Sequence, residues 1–183
     1  MLTADHFRNL RAGPILEAGR MNGATVRGWI AEMELVLGDR STRETGNPRY
    51  DLADCARLFM LHILTKKIRM DARPAIWVVN KAYDYIAEIA EAELQAIGTG
   101  AAPDCPRYEL MLPAMSLDVE TNPEIRLYTD EASIADRESN RGMWCKITMD
   151  LREIVRHARN ELSCVMGHSL SGLRHDFADA QEN

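Results

Sequence analysis

Arginine is the side chain with the clearest chemistry in this sequence, because its planar guanidinium pairs well with phosphate oxygens. Arg27 lies in a short helical pattern. Arg40, Arg43 and Arg49 lie in or beside a segment rich in Thr, Gly and Pro, a composition typical of a hairpin tip. Phosphate contacts supply most non-specific affinity for nucleic acid, so a helix followed by a basic hairpin favours DNA binding. The alternative is an exposed loop whose arginines are only solvated.

Residues that could bind a metal or act in catalysis form no recognised pattern. His157, Cys164, His168 and His175 share one stretch, but their spacing, H-x6-C-x3-H-x6-H, matches no standard structural zinc site. The four cysteines lie far apart and form no CxxC pair. Gly-rich phosphate loops and nucleophile motifs such as Gly-x-Ser-x-Gly are absent from the sequence. We therefore predict no enzyme activity, no catalytic residue, no metal and no cofactor.

Composition and charge are those of a soluble globular protein. The 183 residues can hold one generous domain or two small ones. The sequence has no apolar run long enough to span a membrane and no secretory h-region near its start, which predicts a cytoplasmic protein without a membrane partner. Residues 1–73 hold 12 Lys and Arg against 9 Asp and Glu, whereas residues 74–183 hold 10 against 19. Balances of +3 and −9 suit a DNA-binding part joined to an acidic regulatory or oligomerisation part.

The elements that would position these arginines begin with two short helices. Apolar spacing predicts helices at 15–20 and 25–33. Asn22 and Gly23 between them form a turn signal. Two short helices joined by a tight turn that contains glycine are typical of a helix-turn-helix.

A hairpin and a third helix are predicted next. The apolar run at 35–37 predicts a strand that enters a hairpin, with its tip at 40–48 and a return strand at 49–50. Asp51, with a second aspartate three residues later, predicts the N-terminal cap of a helix at 52–64.

A long helix is predicted at 75–97, where apolar residues recur at intervals of three and four. Its second half, YIAEIAEAELQAI, could pair with a copy of itself in a dimer or could form an ordinary core helix. The small, breaker-rich segment at 98–106 is interpreted as a linker between domains.

The pattern changes beyond that segment. Alternating residues predict strands at 108–115, 124–129 and 142–151, and Asp150 is predicted to cap a further helix. The expected fold class is therefore α+β. The predicted organisation is a winged helix-turn-helix domain with its long helix at 1–97, a linker at 98–106, an α+β regulatory or oligomerisation domain at 107–175 and a disordered tail at 176–183.

Two segments, Thr25-Val26-Arg27-x-Trp29 and Gly46-x-x-x-Tyr50-Asp51-x-x-Asp54-x-x-x-Leu58, resemble the DNA-binding domain of the MerR family. That family has a short helix ending in a Thr-Leu-Arg-Tyr-Tyr-like segment. A wing ending in Gly-Tyr-Arg-x-Tyr follows, and then a helix that begins Ser/Thr-x-x-Asp. The likeness covers residues 14–82, less than half of the chain. It implies a winged helix-turn-helix that binds operator DNA.

The resemblance also implies roles for individual residues. Thr25 would meet a phosphate near the start of the recognition helix, and Arg27 would face a phosphate or a guanine edge. Trp29 would pack its ring and leave its indole N–H free to reach the DNA backbone. Tyr50 would close the wing and offer its hydroxyl to a phosphate. The predicted DNA-binding set is Asn22, Thr25, Arg27, Trp29, Arg40, Arg43, Arg49 and Tyr50.

The chain departs from the family pattern at two positions. Gly28 replaces the first aromatic residue, which removes one expected backbone contact. Pro48 takes the place of the wing arginine, and Arg49 stands one residue along. Neighbouring residues of a strand face opposite sides, so Arg49 need not point as the family's arginine does.

The function predicted from these observations is that of a bacterial-type, dimeric, MerR-like transcriptional regulator that binds double-stranded DNA. A small-molecule or protein effector would bind its C-terminal domain. Two alternatives stay open: a phage-type excisionase or DNA-packaging protein with the same winged helix, and a module that binds another protein. Genomic neighbours such as an integrase or a terminase would favour the phage alternative.

Overall fold

The computed structural model describes residues 2–38, 48–99, 103, 108–113, 126–128 and 146–179. Six helices and three strands form this part of the chain, which is α+β as predicted. The helices are α1 (Ala12–Ala18), α2 (Gly23–Glu32), α3 (Leu52–His62), α4 (Ala72–Lys81), α5 (Tyr83–Thr99) and α6 (Leu151–Asp179). The strands are β1 (Glu109–Pro113), β2 (Arg126–Tyr128) and β3 (Lys146–Asp150). A 3₁₀ turn at Ala4–Phe7 precedes α1, and a π-helical turn at Ile63–Lys67 follows α3.

Local capping explains where two of the longer helices begin. Asp51 accepts a hydrogen bond from the Asp54 N–H at 2.9 Å, and the Asp54 carboxylate accepts one from the Asp51 N–H at 3.2 Å. This reciprocal capping box starts α3 where the sequence predicted a helix. Asp150 accepts from the N–H groups of Arg152 and Glu153 and starts α6, which is also as predicted.

The predicted long helix is in fact two helices, so its prediction as one element is wrong. α4 ends at Lys81 and α5 begins at Tyr83, with Ala82 between them at φ −82° and ψ 2°. The buried Arg57 guanidinium lies 3.5 Å from the centroid of the Tyr83 ring and donates to the Tyr83 carbonyl oxygen at 3.3 Å. A side chain from α3 therefore engages the chain at this break. The sequence has neither Gly nor Pro at the break, so no helix-breaking residue indicated it.

One hydrophobic core joins both halves of the chain. Packing connects α6 with α1, α3 and α5. The core includes buried residues from before the 98–106 segment, such as Leu58 and Ile89, and from after it, such as Leu110 and Leu162. The segment interpreted as a linker therefore does not separate two cores.

The apolar stripe of α5 is covered within the chain. Ile86, Ile89 and Leu94 are buried, and α5 packs against α3, α6 and the 3₁₀ turn. Glu93 on the same helix is also buried and forms ion pairs with Arg156 and Arg159 of α6. The stripe is thus a core face, the second of the two interpretations drawn from the sequence.

The small sheet is antiparallel, in the order β2-β1-β3. In its register Leu110 lies opposite Leu127 on one side and Met149 on the other. Strands are present within each of the three predicted ranges, and most of the remaining residues of those ranges lie outside the described part of the chain. α6 follows β3 directly and continues to Asp179, four residues into the tail predicted to be disordered. The rest of that tail lies outside the described residues.

Candidate nucleic-acid interface

The turn between α1 and α2 is held tightly against α3. Gly19 ends α1, and a Cβ placed on it would lie 2.7 Å from the Leu58 Cβ and 2.8 Å from the Ile15 carbonyl oxygen. Only glycine fits such an approach without displacing backbone. Met21 is buried two residues later. The start of α2 is therefore fixed relative to the core, although α2 itself lies at the periphery.

Asn22 caps α2, a role that explains its place in the turn. Its Oδ1 accepts hydrogen bonds from the N–H groups of Ala24 and Thr25 at 2.9 and 3.4 Å. The side chain predicted to contact DNA is therefore already engaged as a helix cap, although the residue is exposed. α2 begins at Gly23, so Thr25 is its third residue, with an exposed side chain.

The outer face of α2 is available to a partner. Val26 is its only buried residue, and Trp29 and Ile30 are half-buried against the core. Thr25 and Arg27 are exposed. Among the described residues no acidic side chain forms an ion pair with Arg27. The structure thus leaves Thr25 and Arg27 exposed at opposite edges of the open face of α2, because residues two apart do not share a helix face, and it places Trp29 in packing.

A groove of about 360 Å³ runs between α1, α2 and the residues that precede α3. Its walls are largely apolar, with Ile15 and Leu16 on one side and Val26 and Ile30 on the other. Arg27, Pro48 and Tyr50 also contribute to the lining. The groove therefore brings the predicted site residues Arg27 and Tyr50 to one depression on the surface.

The predicted wing strands are wrong for the residues that the structure describes. Residues 35–37 form no strand. Their backbone is held instead by side chains, because Asn80 accepts from the Val36 N–H at 3.1 Å and donates to the Glu34 carbonyl oxygen at 3.0 Å. Leu35 and Leu37 are buried, so the apolar signal at 35–37 reflects burial in the core.

Tyr50 pairs with a different segment from the one predicted. It forms an isolated antiparallel bridge with Leu10, through hydrogen bonds of 2.7 and 3.1 Å. The neighbouring Arg49 is exposed, and its Nη1 donates to the Asn9 carbonyl oxygen at 3.4 Å. These contacts fix Arg49 and Tyr50, which follow the segment predicted as a hairpin tip, to Asn9 and Leu10 just before α1.

Gly38 fixes the chain just before the segment that the sequence predicted as a hairpin tip. This residue has φ +69°, and a Cβ there would lie 2.9 Å from the Arg49 carbonyl oxygen. Its N–H donates to Asp54 Oδ1 at 2.9 Å. Both ends of the segment are thus held at the N-terminus of α3. Arg40 and Arg43 lie outside the described residues, so their predicted contacts stay predictions.

A second group of exposed cations was missed by the sequence reasoning. Lys66 and Lys67 end the π-helical turn after α3, and Arg69 and Arg73 follow within six residues. All four are exposed, and Arg69 has φ +61°. The signal was present as four basic residues in a stretch of eight.

A buried ion pair supports the interface from within. Arg57 Nη1 lies 2.8 Å from Asp54 Oδ1, and both side chains are almost fully buried. Burial, and secondarily the negative charge of Asp51, raises the pKa of Asp54 to about 6, although the Arg57 guanidinium acts against this shift.

The described part of the chain shows no metal site, and of its two free cysteines Cys55 is buried and Cys164 is exposed. That part has no group of three or more His, Cys, Asp or Glu residues placed to hold a metal ion. Burial raises the pKa of the Cys55 thiol to about 12, so it is unreactive. His157 stacks on Phe59 and lies 3.4 Å from Glu161, a surface contact between α3 and α6. In the same residues no helix is both long and apolar enough to cross a membrane.

Comparison with known proteins adds no family to these observations. The sequence matches no protein-family model, and a search of curated proteins gives no match. The function has to be argued from the chain's own residues.

Proposed function

We propose that this protein is a MerR-like transcriptional regulator that binds double-stranded DNA through a helix-turn-helix formed by α1 and α2. The observation that carries the proposal is the open face of α2. A capped helix with one buried residue exposes Thr25 and Arg27 to solvent, and no acidic side chain among the described residues pairs with Arg27. A helix presented in this way can enter a major groove, where a guanidinium pairs with guanine or phosphate.

Further cations would position the duplex by contacting phosphates, which fix register without reading sequence. Arg49 is exposed beside the segment that holds Arg40 and Arg43. The exposed group Lys66, Lys67, Arg69 and Arg73 follows α3. Both sets belong to the part of the chain with a positive balance, and the acidic remainder would stay away from DNA. The proposal includes a cytoplasmic location, a homodimer on the operator and an effector.

The proposal is tested by removing charges from the predicted contacts in the full-length protein. We expect Arg27→Ala and the double variant Arg27→Ala/Arg43→Ala to weaken binding to mixed-sequence duplex DNA. Each lost phosphate contact should make the plot of log K against log salt shallower by about 0.9. Fluorescence anisotropy across a salt series measures both quantities. Arg27 is exposed, and substitutions at exposed positions usually change stability by less than about 0.5 kcal/mol, so a loss of affinity in Arg27→Ala would reflect a lost contact.

Arg156→Gln is the matched control, since it removes one positive charge from α6 and should leave the affinity and the salt slope unchanged. The Arg156 side chain is 38% exposed and already forms ion pairs with Glu153 and Glu93. Normal binding with an unchanged slope in the double variant would contradict the proposal.

A second candidate function is favoured by one observation, the apolar groove between α1 and α2. Its lining by Ile15, Leu16, Val26 and Ile30 suits the apolar side chains of a partner peptide better than a phosphate backbone. A protein-interaction module would show no binding to duplex DNA at low salt, whereas the regulator would bind most tightly there.

A further inference from the structure

The groove between α1 and α2 offers accessible apolar surface to a ligand. Ala12 and Leu16 of α1, Ile30 of α2 and Pro48 all line it, and each of these residues is half-buried, so each retains surface that a ligand can cover. The volume of about 360 Å³ lies at the lower end of the range for pockets that bind small molecules. The groove can therefore hold one small apolar body.

Arg27 carries the only charged side chain among the described residues that line the groove. A Cβ placed on Gly23 would lie 3.1 Å from Leu16 Cδ1 and 3.5 Å from Arg27 Nη1, so the guanidinium and the tip of Leu16 lie beside the same point in the first turn of α2. Arg27 is exposed, and its side chain forms no ion pair or hydrogen bond with another described residue. Its guanidinium is therefore accessible at the edge of the groove.

An apolar groove with one free guanidinium at its edge determines the sign of the charge that a ligand can carry. Burying a charge among apolar side chains without a partner is costly, so the buried part of the ligand has to be apolar. A carboxylate at one end of such a ligand would stay at the edge, where Arg27 can donate charge-assisted hydrogen bonds to it. A cationic end would meet no acidic side chain among the described lining residues. An apolar molecule with one anionic end is therefore favoured.

The size of the groove favours a small molecule over a macromolecule. A stable protein interface buries about 1,200–2,000 Å² in total, so a partner protein would need much surface outside the groove. A small molecule can be held by the groove alone. A DNA duplex presents sugars and phosphates, which do not match the apolar side chains of Leu16 and Ile30.

We propose that this groove binds a small amphipathic carboxylic acid, with its apolar chain between α1 and α2 and its carboxylate at Arg27. The ligand would engage the same guanidinium that is proposed to contact DNA, so its binding would lower the affinity for DNA. This competition rests on the proposed function, whereas binding of the acid does not. An effector of this kind would act directly at the DNA-binding helix, and not through the C-terminal domain where the sequence places it.

Calorimetric titration of the full-length protein with octanoate and with octylammonium, at constant ionic strength, tests the sign of the charge. We expect saturable binding of octanoate and weaker binding of octylammonium, although the net charge of −6 would favour the cation in non-specific attraction. Arg27→Gln should weaken octanoate binding about tenfold, through the loss of a charge-assisted hydrogen bond, and should not weaken octylammonium binding. Arg73→Gln, at an exposed arginine of α4 outside the described lining, is the matched control and should bind octanoate as the wild type does.

A second pair of variants tests the apolar part of the site. Ala12→Leu enlarges a half-buried side chain in the lining without changing a charge, and it should weaken octanoate binding at least about tenfold. Ala31→Leu makes the same change at an exposed position of α2 outside the described lining, and it should leave octanoate binding unchanged. Octanoate should also displace fluorescently labelled duplex DNA from the wild type, and higher concentrations should be needed for Ala12→Leu.

Three results would overturn this inference. The first is the absence of saturable octanoate binding to the wild type, and the second is equal octanoate binding by Ala12→Leu. The third is binding of octylammonium as tight as that of octanoate, because the groove would then be merely apolar, as expected for the side chains of a partner peptide. Simultaneous binding of octanoate and DNA would overturn the competition. Octanoate binding by a protein that binds no duplex DNA would contradict the proposed function and support the groove site.

Discussion

Helices α2 and α3 differ little in length but strongly in their relation to the core. α2 has 10 residues, of which Val26 is buried, whereas α3 has 11 residues, of which nine are buried. Charges follow the same division. Arg27 of α2 is exposed without an ion-pair partner among the described residues, and Arg57 of α3 is buried against Asp54 and Tyr83.

Arginine therefore has different roles in the two helices. A guanidinium that is exposed on a lightly anchored helix contributes little to folding and is available to a partner. A guanidinium buried in the fold organises its neighbours, and its loss leaves an uncompensated charge. Substitutions on α2 should therefore change binding more than stability, and substitutions on α3 should do the reverse.

The strongest test of this division is a truncation in the core of α3. Leu58 is fully buried and packs against the turn that precedes α2. Leu58→Ala should lower the free energy of unfolding by about 2–5 kcal/mol, because it leaves a cavity that the core cannot fill. Urea titration followed by circular dichroism measures this. The control Glu32→Ala, at an exposed position on α2, should change stability by less than about 0.5 kcal/mol. Equal losses would mean that α2 belongs to the core as much as α3 does.

The free energy of unfolding should also depend on pH through Asp54 of α3, by an amount no larger than the effect of Leu58→Ala. The pKa of Asp54 is raised from 3.8 to about 6 by burial, so the folded state holds its proton more tightly than the unfolded state. This contribution to stability is fully present below pH 3.8 and is lost as the pH rises through 6, by at most about 3 kcal/mol.

Asp54→Asn removes this titration. The stability of the wild type relative to Asp54→Asn should therefore fall between about pH 4 and pH 6 and stay level above that range. Urea midpoints at several pH values for both proteins provide the comparison. A difference that does not change with pH would show that Asp54 titrates normally in the fold.

The smallest effect is expected at the cap of α2. Asn22→Ala removes the acceptor of two backbone N–H groups and should cost about 1 kcal/mol. Because α2 carries the proposed contacts, its fraying should also weaken DNA binding. Asn22→Ser restores a capping oxygen and should recover both properties. A loss of DNA affinity that Asn22→Ser does not recover would point to a direct contact by the Asn22 amide.

Local signals allowed the helix starts to be predicted from the sequence. Asp51 with Asp54, and Asp150, are caps that act over three residues, so their effect is visible in sequence alone. The placement of Thr25 and Arg27 on one short helix was predicted from local signals of the same kind.

Features that depend on distant residues could not be predicted in this way. Residues 35–37, predicted as a strand, are held instead by hydrogen bonds between the side chain of Asn80 and the backbone of Val36 and Glu34. Tyr50, predicted to pair with them, pairs with Leu10. The stripe on α5 is covered by α6, which lies on the other side of the supposed linker. A local sequence pattern does not show which apolar faces of distant helices will pack against each other. The single core therefore became visible only in the folded chain.

The most direct test of the division between α2 and the core is to map a DNA complex by nuclear magnetic resonance. Backbone amide signals of the labelled protein would be followed while mixed-sequence duplex DNA is added at low salt. We expect the signals of Thr25, Val26 and Arg27 to shift or broaden in proportion to bound DNA, and those of Ile89 in α5 and Leu162 in α6 to stay in place. Changes centred on α5 or α6, with α2 unaffected, would contradict the account.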